Sequence, residues 1–317
     1  MDAEAQPLER PVWPKFRDPD VTAAGEPRAR VELRRLDTLW INTGTLCNLA
    51  CRNCYIESSP SNDSLVYISA REVEAYLDEI ERDRLGTDKI AFTGGEPFMN
   101  PDMIQMLADT LERRFNALVL TNAMRPMMKV SERLLELQQR FPGRMTIRVS
   151  IDHYSKDVHE QERGPKSWDP AMKGMHWLSS RGFTIDVAGR LFSGETEAQM
   201  RAGYARLFAK EGIDLDAHDG SALVLFPEMD EGVDVPEITT ACWNKAGMSP
   251  DDVMCASQRM VVKRKGAARP VVLPCTLLPY DPQFELGQTL SESFTSVALN
   301  HPHCSKFCVL GGGSCTG

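Results

Sequence analysis

Long hydrophobic runs are missing from this sequence: no apolar stretch approaches the roughly eighteen residues that read as a membrane-spanning helix. The first thirty residues carry Pro7, Pro11, Pro14, Pro19 and Pro27 among many charges, which excludes a signal peptide or an N-terminal helix and predicts a loosely ordered, proline-rich arm over 1–35. A basic excess is missing too. The 36 Lys and Arg against 45 Asp and Glu leave a net charge of −9, the wrong sign for a protein that neutralises phosphates over its whole surface. Histidine is scarce, with 6 in 317 residues, and the nearest to the first cysteines is His153. With no signal peptide and an odd count of 9 cysteines, the chain reads as a cytoplasmic protein with reduced thiols.

Cysteine spacing is what the sequence does supply. Cys47, Cys51 and Cys54 form a Cys-x3-Cys-x2-Cys loop followed directly by Tyr55. Three thiolates on one tight loop can hold three irons of a 4Fe-4S cube, leaving the fourth iron open to the amino and carboxylate groups of a small molecule. Structural zinc takes four ligands, usually from two separated pairs, and nothing nearby offers a fourth. About forty residues on, Gly94, Gly95, Glu96 and Pro97 follow an apolar, strand-like segment. Glycines there permit a tight turn and close backbone approach.

Together these motifs resemble the radical S-adenosylmethionine superfamily. The resemblance implies that the open iron binds S-adenosylmethionine and that a reductant such as a flavodoxin or ferredoxin supplies one electron. The S–C5′ bond then breaks, and a 5′-deoxyadenosyl radical takes hydrogen from the substrate. It also implies that Gly94, Gly95, Glu96 and Pro97 meet the ammonium group of the cofactor, with Tyr55 beside the cluster. Thr121 and Asn122 would line the same site, with Ala123 where the family carries glycine. Ser150 and Asp152, two apart and so on one side of their strand, resemble a Ser-x-Asp…His…Arg-Gly pattern of the family's peptide-modifying and cofactor-building members. Ser150 would then contact the methionine carboxylate, with Arg163 and Arg190 as candidates for the same anion or for structural ion pairs. His153 and His159 are structural or acid–base residues.

From about 36 to 226 the chain alternates β-rich runs with amphipathic stretches, the pattern of a parallel sheet with crossover helices. Strands are predicted at 38–42, 89–92, 118–121, 145–151, 183–188 and 223–226. Helices are predicted at 69–84, where Ser69 and Glu72 have capping-box spacing, from Asn100 as N-cap with Pro101 in the first turn, and at 131–141, 169–182 and 195–210. Periodicity supports an α/β domain, and the resemblance implies a partial (β/α)6 TIM-type barrel over 36–235. All four motifs follow the C-terminal ends of strands, where parallel α/β folds bind ligands.

After Pro227 the pattern changes, and the tail holds Cys242, Cys255, Cys275, Cys304, Cys308 and Cys315. Apolar runs at 260–262 and 271–273 around Lys265-Gly266 read as a β-hairpin, followed by a short helix over 290–299. The tail resembles the SPASM auxiliary-cluster module or its shorter relative, twitch, which implies a small cysteine-rich α+β domain over 236–317. Six cysteines are too few for the two clusters of a full SPASM module, so one auxiliary 4Fe-4S cluster is expected. Its ligands would be Cys255, Cys275 and two of Cys304, Cys308 and Cys315, although Cys304-x3-Cys308 departs from the usual Cys-x2-Cys. Cys242 is a buried spare or a substrate-facing thiol. The rival is zinc on His301, His303, Cys304 and Cys308.

The basic run Arg259, Lys263, Arg264, Lys265 and Arg269 is a solvated hairpin tip or a contact for phosphate or an acidic substrate. The expected activity is radical hydrogen abstraction from a small molecule or a peptide. The arm before the first strand is too short for a leader-peptide-binding domain, so a peptide substrate would need a separate partner protein, or none. The alternatives are a nucleic-acid-modifying member of the superfamily and a non-catalytic Fe–S or zinc protein that senses redox state.

Overall fold

β-branched and aromatic runs with alternating burial make the strands, and amphipathic segments cross back over them. The computed structural model describes residues 14–228 and 233–311. A short β1 (Arg30–Val31) precedes β2 (Thr38–Asn42), α1 (Ala70–Asp83), β3 (Lys89–Thr93), α2 (Met103–Glu112) and β4 (Asn116–Thr121). Then come α3 (Arg125–Lys129), α4 (Ser131–Arg140), β5 (Met145–Ser150), α5 (Lys156–Arg163) and α6 (Trp168–Ser180). The barrel ends with β6 (Thr184–Leu191), α7 (Glu197–Glu211) and β7 (Leu223–Pro227). The tail adds α8 (Cys242–Ala246), the hairpin β8 (Gln258–Val262) and β9 (Val271–Leu273), and β10 (Val297–Ala298).

Strands β2 to β7 pair in parallel, each with the next in the chain. This is the α/β, partial (β/α)6 TIM-type barrel that the sequence implies. The hairpin does more than the sequence announced. β8 lies parallel to β2 and antiparallel to β9, so the cysteine-rich tail extends the barrel's own sheet in the order β7-β6-β5-β4-β3-β2-β8-β9.

Strand alternation divides the core in two. Leu39, Ile41, Ile90, Phe92, Val119 and Val149 face the helices, whereas Trp40, Ala91, Leu118, Met260 and Val262 face the tail.

Local structure departs from expectation at several points. The α1 capping box forms as its spacing predicts. α2 begins at Met103, two residues later than Pro101, with the Asn100 side chain at the turn that enters it: its Oδ1 accepts Asp102 N–H (2.9 Å). Its Nδ2 donates to the Thr43 and Ile68 carbonyls (3.0 and 2.9 Å), stapling the turn after β3 to the end of β2. α5 escaped the sequence reading, since most of its eight residues are charged and it buries only His159 and Glu162. The predicted 290–299 helix is a 3₁₀ turn at Ser291–Ser293 followed by β10, which pairs with β1.

The N-terminal arm is ordered where it meets the tail. The fully buried Arg28 side chain bonds Glu237 (2.6 Å), and Ala29 N–H donates to the Ile238 carbonyl (2.8 Å). Proline kept this segment from being a helix without keeping it loose.

α6 crosses so close to the loop after β4 that a Cβ on Gly174 would lie 1.8 Å from the Ala123 carbonyl oxygen. Gly174→Ala is expected to destabilise the fold by about 1–3 kcal/mol through overpacking, read as a lower urea midpoint. Gly182→Ala is the comparison, since φ is +73° there with no atom within 4 Å and only backbone strain is added.

Candidate active site

The C-terminal ends of β2 to β6 and the first turns beyond them surround a cavity of about 1130 Å³, part of it open to solvent. Cys47, Cys51, Cys54 and Tyr55 line it, as do Gly94, Gly95, Thr121 and Asn122. Ser150, Asp152, Arg163 and Arg190 reach it from β5, α5 and β6. Sequence motifs separated by up to 143 positions therefore share one space. The lining also includes the apolar side chains of Trp40, Leu120, Phe226, Leu277 and Phe307, the last two from the tail.

The cysteine loop rests on the glycine turn. Gly95 N–H donates to the Gly44 carbonyl (2.8 Å) and Glu96 N–H to the Leu46 carbonyl (3.2 Å). A Cβ on Gly95 would lie 2.3 Å from the Leu46 carbonyl oxygen, and Gly94 takes φ +136°, so both positions require glycine. Two backbone N–H groups point at sulfur, Leu49 to Cys47 and Ser58 to Cys54, each at 3.4 Å.

Glu96 and Pro97 do not line the cavity. The Glu96 carboxylate is buried behind it, accepting from Phe98 N–H (3.2 Å), Thr121 Oγ1 (2.8 Å) and Asn122 N–H (2.9 Å). Burial pushes this carboxyl up to about 7 against those hydrogen bonds. Its side chain thus braces the turn after β3 against the end of β4, and Pro97 opens the 3₁₀ turn Pro97–Met99. Ala123 takes φ +55°, the left-handed conformation that explains glycine in similar segments.

Asp152 and Arg163 form a two-pronged pair, both contacts at 2.9 Å and both side chains largely buried. Burial opposes each charge, but each partner stabilises the other, so the Asp152 carboxyl sits below its ordinary value and Arg163 above its own. Arg190 lies 3.5 Å from Glu162 and 5.8 Å over the Phe192 ring. Glu162 also accepts from Asn53 Nδ2 (2.9 Å), and its carbonyl accepts Arg52 N–H (2.8 Å), so α5 holds the cysteine loop from below. Sequence reading missed Glu162 because α5 carries no apolar periodicity.

Neither candidate histidine lines the cavity. His153 Nδ1 accepts Ser155 N–H (2.9 Å), leaving Nε2 to donate to Glu195 (2.7 Å). Hydrogen bonds from Tyr154 and His153 bring the Glu195 carboxyl down to about 2. His159 is fully buried edge-on against Trp168, with no hydrogen-bond partner at either ring nitrogen.

The donor set suits an iron–sulfur group. All three loop thiols are free, and burial pushes Cys47 up to about 12 and raises Cys51 as well. Thiolates are disfavoured there until a metal supplies positive charge. In the tail, Cys255, Cys275, Cys304 and Cys308 are buried in one apolar core, with burial pushing Cys255 to about 11 and Cys304 to about 12. Thr276, Leu277 and Phe307, their chain neighbours, line the cavity. Cys242 is half-buried and accepts Thr239 N–H at 3.4 Å; Cys315 lies outside the described residues.

Among the described residues no three His, Cys, Asp or Glu side chains gather as a single metal ion requires, which holds for the cysteine loop and the tail cysteines as for His301, His303, Cys304 and Cys308. A 4Fe-4S cube spreads its ligand sulfurs more widely than one ion does.

The basic run of the hairpin is largely neutralised. Arg259 is buried and donates to the Cys255, Gln258 and Ser293 carbonyls. Lys263 pairs with Glu72, Arg264 with Glu285 and Lys265 with Asp63, at 2.6, 2.5 and 2.6 Å.

Comparison with known proteins adds the family. The model of the radical SAM superfamily matches residues 41–202, just over half of the chain. The antilisterial bacteriocin subtilosin biosynthesis protein AlbA of Bacillus subtilis (strain 168) is 32% identical over 147 residues, covering 46% of this chain and 31% of that protein. The mycofactocin maturase MftC of Mycobacterium tuberculosis (strain ATCC 25618 / H37Rv) is 27% identical over 137 residues, covering 43% and 33%. The chain thus spans about a third of the length of the curated relatives it matches.

Among solved structures, Streptococcus suis SuiB bound to S-adenosylmethionine aligns with a TM-score of 0.59 at 13% identity, over 80% of this chain and 63% of that one. Hexahistidine-tagged anSMEcpe with bound AdoMet aligns at 0.60 and 15% identity, over 82% and 77%. These two likenesses show the fold. No helix among the described residues is long and apolar enough to cross a membrane.

Two expectations follow from the buried charges. Asp152→Asn leaves Arg163 buried without its counter-charge and should cost about 3–5 kcal/mol of folding stability, measured by chemical unfolding of the apo-protein. His159 resists protonation in the fold, where burial lowers it from 6.5 to about 4. The unfolded chain takes up that proton first, so stability should fall as pH drops through 6.5 and level off below about 4. His159→Phe keeps a ring in place and should flatten that part of the stability profile.

Proposed function

The chain belongs to the radical SAM superfamily, and from that membership we propose that it is a radical SAM enzyme with two iron–sulfur sites acting on a peptide or small-molecule substrate. The observation that carries the reading is the shared cavity, lined by the three-cysteine loop, the glycine turn, the ends of β4 and β5, and apolar side chains contributed partly by the tail. Cys47, Cys51 and Cys54 would hold one 4Fe-4S cluster. Gly94 and Gly95 offer a close backbone edge to the ammonium of S-adenosylmethionine. Thr121, Asn122 and Ser150 offer polar contacts beside it, with Tyr55 at the rim.

Arg163 is engaged by Asp152, which leaves Arg190, held less tightly at 3.5 Å from Glu162, as the better candidate for a carboxylate in the cavity. When bound, the cluster and S-adenosylmethionine supply a 5′-deoxyadenosyl radical on one-electron reduction, with a flavodoxin or ferredoxin as reductant. The chain's contribution is to orient the reacting groups and keep water from them, which suits the apolar lining of Trp40, Leu120, Phe226, Leu277 and Phe307.

We read 36–235 as the barrel core and 236–317 as an auxiliary-cluster segment docked on it through β8. Cys255, Cys275 and two of Cys304, Cys308 and Cys315 would hold the second 4Fe-4S cluster, for electron transfer or substrate binding. Peptide substrates are favoured by the relatives' names, a bacteriocin biosynthesis protein and a mycofactocin maturase, and by SuiB having been solved with its precursor peptide SuiA. A separate partner protein would present such a peptide. The ion pairs at Lys263, Arg264 and Lys265 leave a nucleic-acid substrate with little support.

The test is anaerobic reconstitution with iron and sulfide, followed by dithionite, S-adenosylmethionine and measurement of 5′-deoxyadenosine. The wild type is expected to form it, Cys51→Ala to form none, and Cys275→Ala to retain part of the cleavage while losing turnover of substrate. Equal formation by Cys51→Ala and wild type would sink the assignment. A wild type that binds iron but forms none would point to a sensing or docking protein.

A further inference from the structure

The tail touches the cysteine loop at a point that the proposed chemistry does not use. Directly after Cys54 the chain turns sharply. Glu57 N–H donates to the Cys54 carbonyl (2.9 Å), Glu57 takes φ +50°, and Ser58 N–H comes to lie 3.4 Å from Cys54 Sγ. A non-glycine residue in the left-handed region is unfavourable and persists only where its surroundings hold it there. Both carbonyls flanking the turn are held. Tyr280 Oη donates to the Ile56 carbonyl (2.5 Å), and Asn62 Nδ2 donates to the Glu57 carbonyl (2.9 Å) and to Tyr280 Oη (3.2 Å). With those two peptide planes fixed, the direction of the Ser58 N–H is fixed as well.

Hydrogen bonds to ligand sulfur stabilise its negative charge, and such outer contacts set both reduction potential and metal retention. We propose that Tyr280 is a positioning residue of the three-cysteine site: it aims the Ser58 N–H at Cys54 and makes the ease of reduction and the iron retention of that cluster depend on the tail. Tyr280 stands five residues after Cys275, a candidate ligand of the auxiliary cluster, so the two sites are joined by a short stretch of chain and one hydroxyl. The inference rests on reading Cys47, Cys51 and Cys54 as a cluster site.

The test compares reconstituted full-length wild type with Tyr280→Phe and Tyr76→Phe. Tyr76 Oη donates to the Gln288 carbonyl (2.9 Å), a barrel-to-tail bond of the same kind that does not touch the cysteine loop. The readouts are the decay of the cluster signal that responds to S-adenosylmethionine on exposure to a ferrous chelator, and a redox titration of that signal. Thermal melts of all three proteins accompany them.

Tyr280→Phe is expected to lose the signal on the order of tenfold faster and to titrate at a lower potential, with Tyr76→Phe matching wild type in both and the two variants melting alike. Asn62→Ser removes the other carbonyl donor, should act in the same direction, and decides the matter if Tyr280→Phe does not fold. Unchanged decay and potential in Tyr280→Phe overturn the proposal. So does an equal change in Tyr76→Phe, since any tail-to-barrel bond would then serve. A wild type with no S-adenosylmethionine-responsive cluster overturns the proposed function and this inference together, which separates the two failures.

Discussion

Two backbones lie in direct contact at the head of this barrel, and the site depends on that contact. The turn through Gly94 and Gly95 fits against the carbonyls of Gly44 and Leu46 with no room for a side chain on either glycine. The cysteine loop therefore cannot move without the end of β3 moving too. Glu96, one residue further on, passes the constraint to the end of β4 through two accepted hydrogen bonds, from Thr121 Oγ1 and Asn122 N–H. Asn122 Nδ2 returns it to the cysteine loop at Asn48 (3.0 Å). A closed ring of contacts thus runs from β2 to β3 to β4 and back, and the thiols are held by peptide geometry before any metal arrives.

Much of the fold was legible. The six parallel strands are visible as β-rich runs spaced by amphipathic stretches, and the Cys-x3-Cys-x2-Cys and Gly94-Gly95 motifs mark the rim directly because each needs a special backbone. What stayed hidden has physical reasons. Glu96 looked like a ligand contact from its motif, but its environment, which no local pattern reports, turns it inward. Asp152 and Arg163 are eleven residues apart with nothing in the sequence to show that they are partners. α5 holds the cysteine loop with Glu162 yet is too charged to register as an amphipathic helix. The tail's hairpin was visible, but its neighbour was not, because strand pairing is decided by surfaces and not by the strand's own residues.

The buried charges share a logic. Arg28 with Glu237, Arg148 with Asp186, and Arg163 with Asp152 are each withdrawn from water and paired. Such pairs add little net stability over apolar packing, but they penalise every arrangement that separates them. In each case the pair joins segments that must be in register for the cavity to exist: arm to tail, β5 to β6, and α5 to the end of β5. They specify the assembly more than they strengthen it.

β2 is flanked by β3 on one side and by β8 on the other, and the Trp40 indole N–H meets the Gln258 side chain across 218 positions of sequence (2.7 Å). The strand that leads into the cysteine loop thus gains its second neighbour only late in synthesis, after nearly all of the barrel has left the ribosome. A contact so distant in sequence is slow to form and is made after local structure is in place. The cysteine loop thus has two supports of different age: a ring within β2, β3 and β4 that the early chain can close by itself, and a flanking strand that arrives only when the chain's last third folds back beside β2.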